Sequence, residues 1–425
     1  MYLYIKEHED EIAEALYLDL GKSKTESYMA EIGMVLNEIG HLIKHLRKYM
    51  KPKRCKTPLA QYVSKSFQLP MPYGNVLIMS PWNYPFLLSI DPLCEALAAG
   101  NTVILKTSEY SKNTSNVIKK LVDDIFPNEL VYVVFGGYEE NQILLEQKFD
   151  YIFFTGSKGV GKIVYETAAR TLTPVTLELG GKSPCIIDEK CNVKLAAKRI
   201  AWGKFLNLGQ TCVSPDYVFC NEKVYDKFVL CLQNEIIKQY GENPLSNPNY
   251  GKIINQRHFA RLLGYFDESN ILFGGKYDED KLKIEPTLLK NIDYNHRIMK
   301  EEIFGPILPI IKYSSLIDVV EYINSNETPL ALYIFSKNRH NINYVTNYSA
   351  FGGGCVNDVV IHLATTNMSF GGFKESGIGS YHGKKGFDTF SHYKSIVDKK
   401  TWIDLPMRYQ PYNSFFDRLI HFFMK

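Results

Sequence analysis

Of the eight cysteines in the chain, at 55, 94, 185, 191, 212, 220, 231 and 355, one sits where a thiol could react. Cys212 follows a Gly-Gln-Thr turn in FLNLGQTCVSPDYVF. A thiol becomes a nucleophile where a helix N-terminus or nearby dipoles favour its anion. A cysteine by itself is more often a small core residue, but two other segments give this one company. TLELGGKSP carries Glu178 ahead of two glycines in an apolar, strand-like stretch, where a carboxylate is costly unless it is paired or used. SPWNYPF sets Asn83 among aromatic residues and prolines. Alone, Glu178 reads equally well as half of a buried ion pair or as a cap.

A glycine turn offers a second chemistry. FFTGSKGVGKIV places Gly156, Gly159 and Gly161 between a strand and a helix, where a dinucleotide pyrophosphate can rest on free backbone N–H groups. The spacing is not G-x-G-x-x-G, and a plain turn with helix capping fits the same residues. The run also approaches the G-x-x-x-x-G-K-[ST] phosphate loop, but Ile163 replaces the hydroxyl that would hold Mg²⁺. That argues against a nucleoside triphosphatase. The turn before Cys212 loosely resembles the Gln-Ala-Cys of caspases, yet Val213 stands where that signature needs Arg, Gln or Gly.

The elements that must carry these residues follow from hydrophobic periodicity. Residues 5–50 read as helices, the second with Ile32, Val35, Ile39, Leu42, Ile43 and Leu46 at three- and four-residue intervals. From about residue 74, short apolar strands alternate with helices. Strands are expected at 75–79, 103–105, 131–135 and 151–154, and helices at 91–99, 114–126 and from the glycine turn to about 169. A second alternating series runs from about 184 to 360, with glycine breaks at 274–275 and 352–354. Such alternation implies parallel sheets covered by helices, an α/β fold of two packed units. No internal repeat or low-complexity linker occurs.

Composition bounds the rest. The 425 residues suit two or three domains, and 45% hydrophobic with 22% charged residues is an ordinary globular balance. The net charge is +3, with 49 basic residues spread along the chain against 46 acidic ones. The densest basic cluster, 44–56, reads as a solvated face, so no nucleic-acid partner is expected. No Cys-x-x-Cys pair occurs, so the cysteines read as reduced thiols and neither zinc nor a disulfide scaffold is expected. The charged, helical start is not a signal peptide, and no run reaches the roughly 18 apolar residues of a spanning helix. A cytoplasmic protein is expected. In the tail, Phe415, Phe416, Leu419, Ile420 and Phe423 make one apolar helical face. It could pack on the body or on a partner subunit, or touch a membrane surface peripherally.

Seven segments in order then carry a family resemblance: SPWNYPF at 80–86, KTSE at 106–109, FTGSKGVGK at 154–162, LELGGKSP at 177–184, GQTCVSPDY at 209–217, EEIFGP at 301–306 and SFGGFKESGIG at 369–379. This series resembles the aldehyde dehydrogenases over nearly the whole chain. YHGKKGFDTFSHYKS at 381–395 and RYQPY at 408–412 resemble its class 3 branch, which includes the fatty aldehyde dehydrogenases.

The resemblance implies a Rossmann-like NAD(P)-binding domain over 1–208, with 60–73 joining a small β oligomerisation arm. It implies a catalytic domain over 209–385, an oligomerisation strand and tail over 386–425, and a homodimer. Cys212 matches the nucleophile, Glu178 the general base, and Asn83 an oxyanion donor beside the backbone N–H of Cys212. Lys106 and Glu109 match residues near the adenosine ribose, Gly156, Ser157 and Gly161 the pyrophosphate turn, and Glu302 and Phe304 the nicotinamide-ribose contacts. Trp82, Tyr84 and Phe370 are expected along the substrate tunnel. A glutamate near the ribose favours NAD, while NADP is also used in the branch. The implied substrates are medium- to long-chain aliphatic, or aromatic, aldehydes.

Class 3 relatives carry about one more helix before the point matching Met1, and the tail could cap the substrate entrance. Two other readings remain open here. One is a cysteine hydrolase or acyltransferase without nicotinamide, which needs a histidine close to Cys212. The other is an inactive scaffold that keeps the fold.

Overall fold

The computed structural model describes every residue except Tyr62 and Lys425. Two sheets dominate. The first has six strands in the order Gly377–Ile378, Val175–Glu178, Tyr151–Thr155, Asn75–Met79, Thr102–Lys106, Val131–Val134. All neighbours are parallel except Gly377–Ile378, which runs antiparallel to Val175–Glu178. The inner strands are continuous apolar runs because helices cover both faces; Val76, Leu77 and Ile78 are wholly buried. Strand order reverses beside Asn75–Met79. A crevice opens at such a reversal, outside the carboxyl ends of the strands. Those ends lead into the segments singled out above: Met79 into 80–83, Thr155 into Gly156, and Glu178 closes its own strand.

The second sheet has seven strands, ordered Ile271–Phe273, Thr287–Leu289, Ile307–Tyr313, Tyr217–Asn221, Pro184–Ile187, Ala331–Phe335, Gly353–Val356. It is parallel but for its first pair. Cys212 precedes Tyr217–Asn221 and the 302–304 segment precedes Ile307–Tyr313. The amino ends of this sheet therefore face the carboxyl ends of the first.

Sheet membership differs from a division at residue 208. Pro184–Ile187 already belongs to the second sheet, and helix Val193–Phe205 packs on Tyr225–Tyr240 beside it. The chain crosses between sheets at 179–183, then returns at Gly377–Ile378. A third, antiparallel sheet of Lys53–Cys55, Ser64–Pro72 and Ser391–Lys399 forms an arm. Its first strand was not foreseen in the sequence.

Local differences have local causes. Helix Leu87–Ala98 starts four residues before the expected Asp91 and carries Pro92 inside. Its first N–H groups are capped by Glu31, 55 residues earlier in the chain, a partner no local pattern reveals. Ile43 is exposed, while Ile32, Val35, Ile39 and Leu42 are buried, because within Gly33–Tyr49 it falls at the edge of the stripe that Val35, Ile39 and Leu42 form. The short helix Tyr138–Leu145 was missed. The tail does form a helix, Ser414–Phe423, capped by Asn413. Within the chain it lies away from Cys212: Ile420, Phe423 and Met424 line a cavity of about 570 Å³ against Leu59, Val397 and Leu405 of the arm region. Among the described residues no helix is long and apolar enough to cross a membrane.

Candidate active site

The turn before Cys212 explains its own sequence. Asn207 and Leu208 are left-handed, at φ 49° and 51°, and so is Gly209 at φ 70°. A Cβ on Gly209 would lie 2.3 Å from the Gly305 carbonyl oxygen, so glycine is required there. Gln210 then locks the loop. Its Nε2 donates to the carbonyls of Asn207 (3.1 Å) and Lys252 (3.0 Å), and its Oε1 accepts from the Ile254 N–H (3.0 Å). Thr211 Oγ1 and the Tyr84 hydroxyl share a hydrogen bond of 2.6 Å. With its neighbours anchored, Cys212 presents its sulfur to open space.

That space is two cavities meeting at the sulfur. One, of about 440 Å³, is lined by Asn83, Gly156, Ser157, Glu178, Glu302 and Phe304, among others. The other, of about 310 Å³, is almost wholly apolar, with Met29, Met34, Tyr84, Trp202, Ile361 and Leu363 in its wall. Cys212, Leu88, Phe370 and Tyr381 line both. Trp82 departs from expectation: it stands on the first cavity, packed against His258 and edge-on to Phe304, and does not line the apolar one.

Charge in the site is held in unusual states. Burial pushes the Cys212 thiol up to about 12, with Glu302 and Glu178 adding to the shift; backbone N–H groups of Cys212 and Val213 oppose it. Burial holds Glu178 well above the carboxylate range, and neither of its carboxylate oxygens has a hydrogen-bond partner among the described residues. A buried orphan of this kind marks a functional site more often than a structural one. Asn83 is buried, and its Nδ2 donates to the Gln210 carbonyl at 3.0 Å.

The first cavity has the features a dinucleotide needs. Helix Lys158–Arg170 points its N-terminus there, with Ser157 as cap, and such an end favours an anion. A Cβ on Gly159 would meet nothing within 4 Å, leaving the helix start open to a ligand. The buried Thr155 hydroxyl, on the cavity wall, is unpartnered. The Glu302 carboxylate lies over Gly180, where a Cβ would come within 2.0 Å of it, and burial raises it to about 8. Lys182 and Arg261 fix this segment through the carbonyls of Ile298, Glu301 and Ile303. Both were missed as site residues, although Lys182 falls inside a motif singled out in the sequence.

Three expected cofactor residues do not line the cavity. Gly161 sits inside the helix, where a Cβ would lie 2.6 Å from Leu179, so it serves helix packing. Lys106 donates to the carbonyls of Thr107 (2.8 Å) and Gly136 (2.6 Å), and burial lowers its pKa. The Glu109 carboxylate lies against Gly137. Both stand at the carboxyl edge of the first sheet, farther out than the glycine turn. Two histidines line the paired cavities, His258 in the first and His382 in the second. Neither hydrogen-bonds Cys212, and burial pushes both down to about 4, leaving them neutral and weakly basic. Among the described residues Cys212 thus has no imidazole partner of the kind a cysteine hydrolase needs; the thiol–imidazole contact that does occur, Cys355 Sγ to His362 Nδ1 at 3.7 Å, does not involve it.

Comparison with known proteins agrees with this geometry. The model of the aldehyde dehydrogenase family matches residues 1–396. The chain is 47% identical over 421 residues to 4,4'-diaponeurosporen-aldehyde dehydrogenase of Staphylococcus aureus, covering 99% of this chain and 92% of that protein. It is 44% identical over 395 residues to aldehyde dehydrogenase family 3 member A2 of Pongo abelii, covering 93% and 81%. The solved substrate-bound Staphylococcus aureus AldH superposes with a TM-score of 0.97 at 46% identity, over 99% of this chain and 93% of that one. An NAD⁺ complex of betaine aldehyde dehydrogenase from Staphylococcus aureus superposes at 0.85 with 28% identity, over 95% and 83%. With a nucleotide-shaped cleft and an apolar chamber joined at one thiol, this chain belongs to the aldehyde dehydrogenase family and is an NAD(P)-dependent oxidoreductase that converts aldehydes to carboxylic acids.

Proposed function

We propose that Cys212, Asn83 and Glu178 divide the chemistry of this oxidation. The observation that supports it is the meeting of both cavities at the Cys212 sulfur, with an unpartnered Glu178 carboxyl in the same wall. The Cys212 thiol gives up its proton to water as its sulfur attacks the aldehyde carbon, forming an S–C bond and an oxyanion. The Asn83 amide and the Cys212 backbone N–H donate to that oxygen. Bound NAD(P)⁺ supplies the acceptor for the hydride of the former aldehyde C–H bond. Glu178 takes a proton from water as the water oxygen attacks the thioester carbon, and Cys212 leaves as thiolate. Gly156, Ser157, Glu302 and Phe304 line the cofactor side. Lys106 and Glu109 reach the adenosine end, where the Glu109 charge disfavours a 2′-phosphate and so favours NAD over NADP.

The apolar wall of the second cavity suits aliphatic or aromatic aldehydes of medium to long chain, with Tyr84 and Phe370 among the groups they touch. A kinetic panel tests this: with purified protein, NAD⁺ and aldehydes of increasing chain length, kcat/KM is expected to rise with chain length. A preference for short, polar aldehydes refutes the substrate assignment. Asn83→Ala is expected to slow NADH formation in the first turnover by roughly 10²–10³-fold, the usual loss for one oxyanion donor. An unchanged rate removes Asn83 from the mechanism. We further propose that the chain forms homodimers through the three-stranded arm, with the apolar tail helix as a peripheral contact to a membrane; a light-scattering mass equal to one chain contradicts the dimer.

A further inference from the structure

The N-terminal segment lines the apolar cavity through Met29 and Met34, yet it also buries two charges that this lining does not require. Lys22 is 1% exposed and Glu31 is not exposed at all. Ions so placed need a reason, because their desolvation is costly even when they are paired. Lys22 Nζ lies 2.5 Å from Glu31 Oε1. It also donates to the backbone carbonyl of Asn83 at 2.8 Å, and sits 3.9 Å from the centre of the Tyr84 ring. Glu31 Oε2 meanwhile accepts from the N–H groups of Phe86 (2.9 Å) and Leu87 (3.1 Å). One ion pair therefore grips both ends of the 83–87 turn.

The Asn83 carbonyl is pinned twice. Asn207 Nδ2 donates to it at 2.8 Å, and the same Nδ2 lies 3.2 Å from the Gln210 carbonyl, which also accepts from Asn83 Nδ2. Asn207 is itself tied back to the N-terminal segment, its N–H donating to Glu26 Oε1 at 2.8 Å. Two separate stretches of chain, the N-terminal segment and 207–210, thus converge on one peptide group. A carbonyl held from two sides restrains the backbone from which the Asn83 side chain departs, and the side chain is held in turn by its Nδ2 bond to the Gln210 carbonyl.

We propose that Lys22, together with Asn207, is a positioning residue: it clamps the Asn83 carbonyl and thereby aims the Asn83 amide at the oxygen of the substrate bound to Cys212. This deepens the assignment of Asn83 as oxyanion donor and rests on it. Small losses of aim matter, because a displacement of about 1 Å can cost on the order of 10²-fold in rate.

The test uses the full chain with NAD⁺ and octanal, following the first-turnover burst of NADH, the KM values and the thermal midpoint. Lys22→Met is made together with Glu31→Gln, so that no lone carboxylate is left buried. This double variant is expected to slow the burst about 10–10²-fold, with the KM for NAD⁺ unchanged. Glu31→Gln alone, which keeps the Lys22 contact to the Asn83 carbonyl, should slow the burst less than the double variant does. Adding Asn83→Ala to the double variant should slow it no further than Asn83→Ala alone, since the two act as one unit. Losses that multiply, an unchanged burst, or a change confined to the KM for NAD⁺ overturn the proposal. Should the double variant not fold, Asn207→Asp keeps the left-handed backbone while removing the second donor. It too should slow the burst, and a normal burst there overturns the clamp. An unaltered burst in Asn83→Ala sinks the oxyanion assignment itself, which is a separate result.

Discussion

Cys212→Ala is expected to abolish NADH formation from every aldehyde while leaving NAD⁺ binding and the thermal midpoint nearly unchanged. The loss should be on the order of 10⁶-fold in kcat, the scale at which removal of a nucleophile acts in covalent catalysis. The structural effect is small because the sulfur faces the two cavities and its neighbours are held by other residues: Gln210 by three hydrogen bonds and Thr211 by Tyr84. Stopped-flow absorbance of NADH, with NAD⁺ affinity measured in parallel, separates loss of chemistry from loss of fold. Residual turnover within about tenfold of the parent, a loss of no more than about 1.4 kcal/mol in the barrier, would take the reaction away from Cys212. It would also revive the reading of this cysteine as a packing residue.

Glu178→Gln should produce the opposite pattern in time: a burst of about one NADH per active site, then a stall. The burst reports thioester formation, which does not need Glu178. The stall reports a lost base, worth typically 10²–10⁴-fold. The pH profile carries the same assignment. Burial favours the neutral carboxyl and holds Glu178 well above the usual carboxylate range. Only the ionised form accepts a proton, so the steady rate should climb as pH rises through that elevated value and level off above it. In the glutamine variant that limb should vanish. If the burst is lost along with the steady state, Glu178 acts on the thiol and its role as base in hydrolysis is wrong.

What the sequence could reveal depended on how local the cause was. Asn75–Met79 and Tyr151–Thr155 were legible because buried parallel strands are unbroken apolar runs closed by turns. The turn before Cys212 was legible through its Gly-Gln-Thr residues alone, although Gln210 locks it partly through Lys252 and Ile254, 42 and 44 residues away. The crossing between sheets at 179–183 was not. The LELGGKSP stretch holds the end of one strand and leads straight into another, and nothing in its composition says that they lie in different sheets. The apolar cavity was equally hidden. Its wall draws on residues near 30, 84, 202 and 362, and each segment alone looks like ordinary core. Trp82 and Tyr84 line different cavities because residues of an irregular turn have no fixed alternation. Lys22 and Glu31 carry no sequence signal at all; their significance lies in contacts 55 to 61 residues away.

The thiol that belongs to two chambers at once also has two doors. If nucleotide and aldehyde take one chamber each, as proposed above, neither must pass through the space the other occupies. Traffic is therefore not forced into single file: spent dinucleotide can depart while an acyl group still hangs on sulfur, and a fresh dinucleotide can arrive before the acid has gone. The same layout gives an electrophile two distinct routes to one atom. Covalent inhibitors built on a nucleotide-like or a lipid-like scaffold would thus arrive at the same bond from different halves of the molecule.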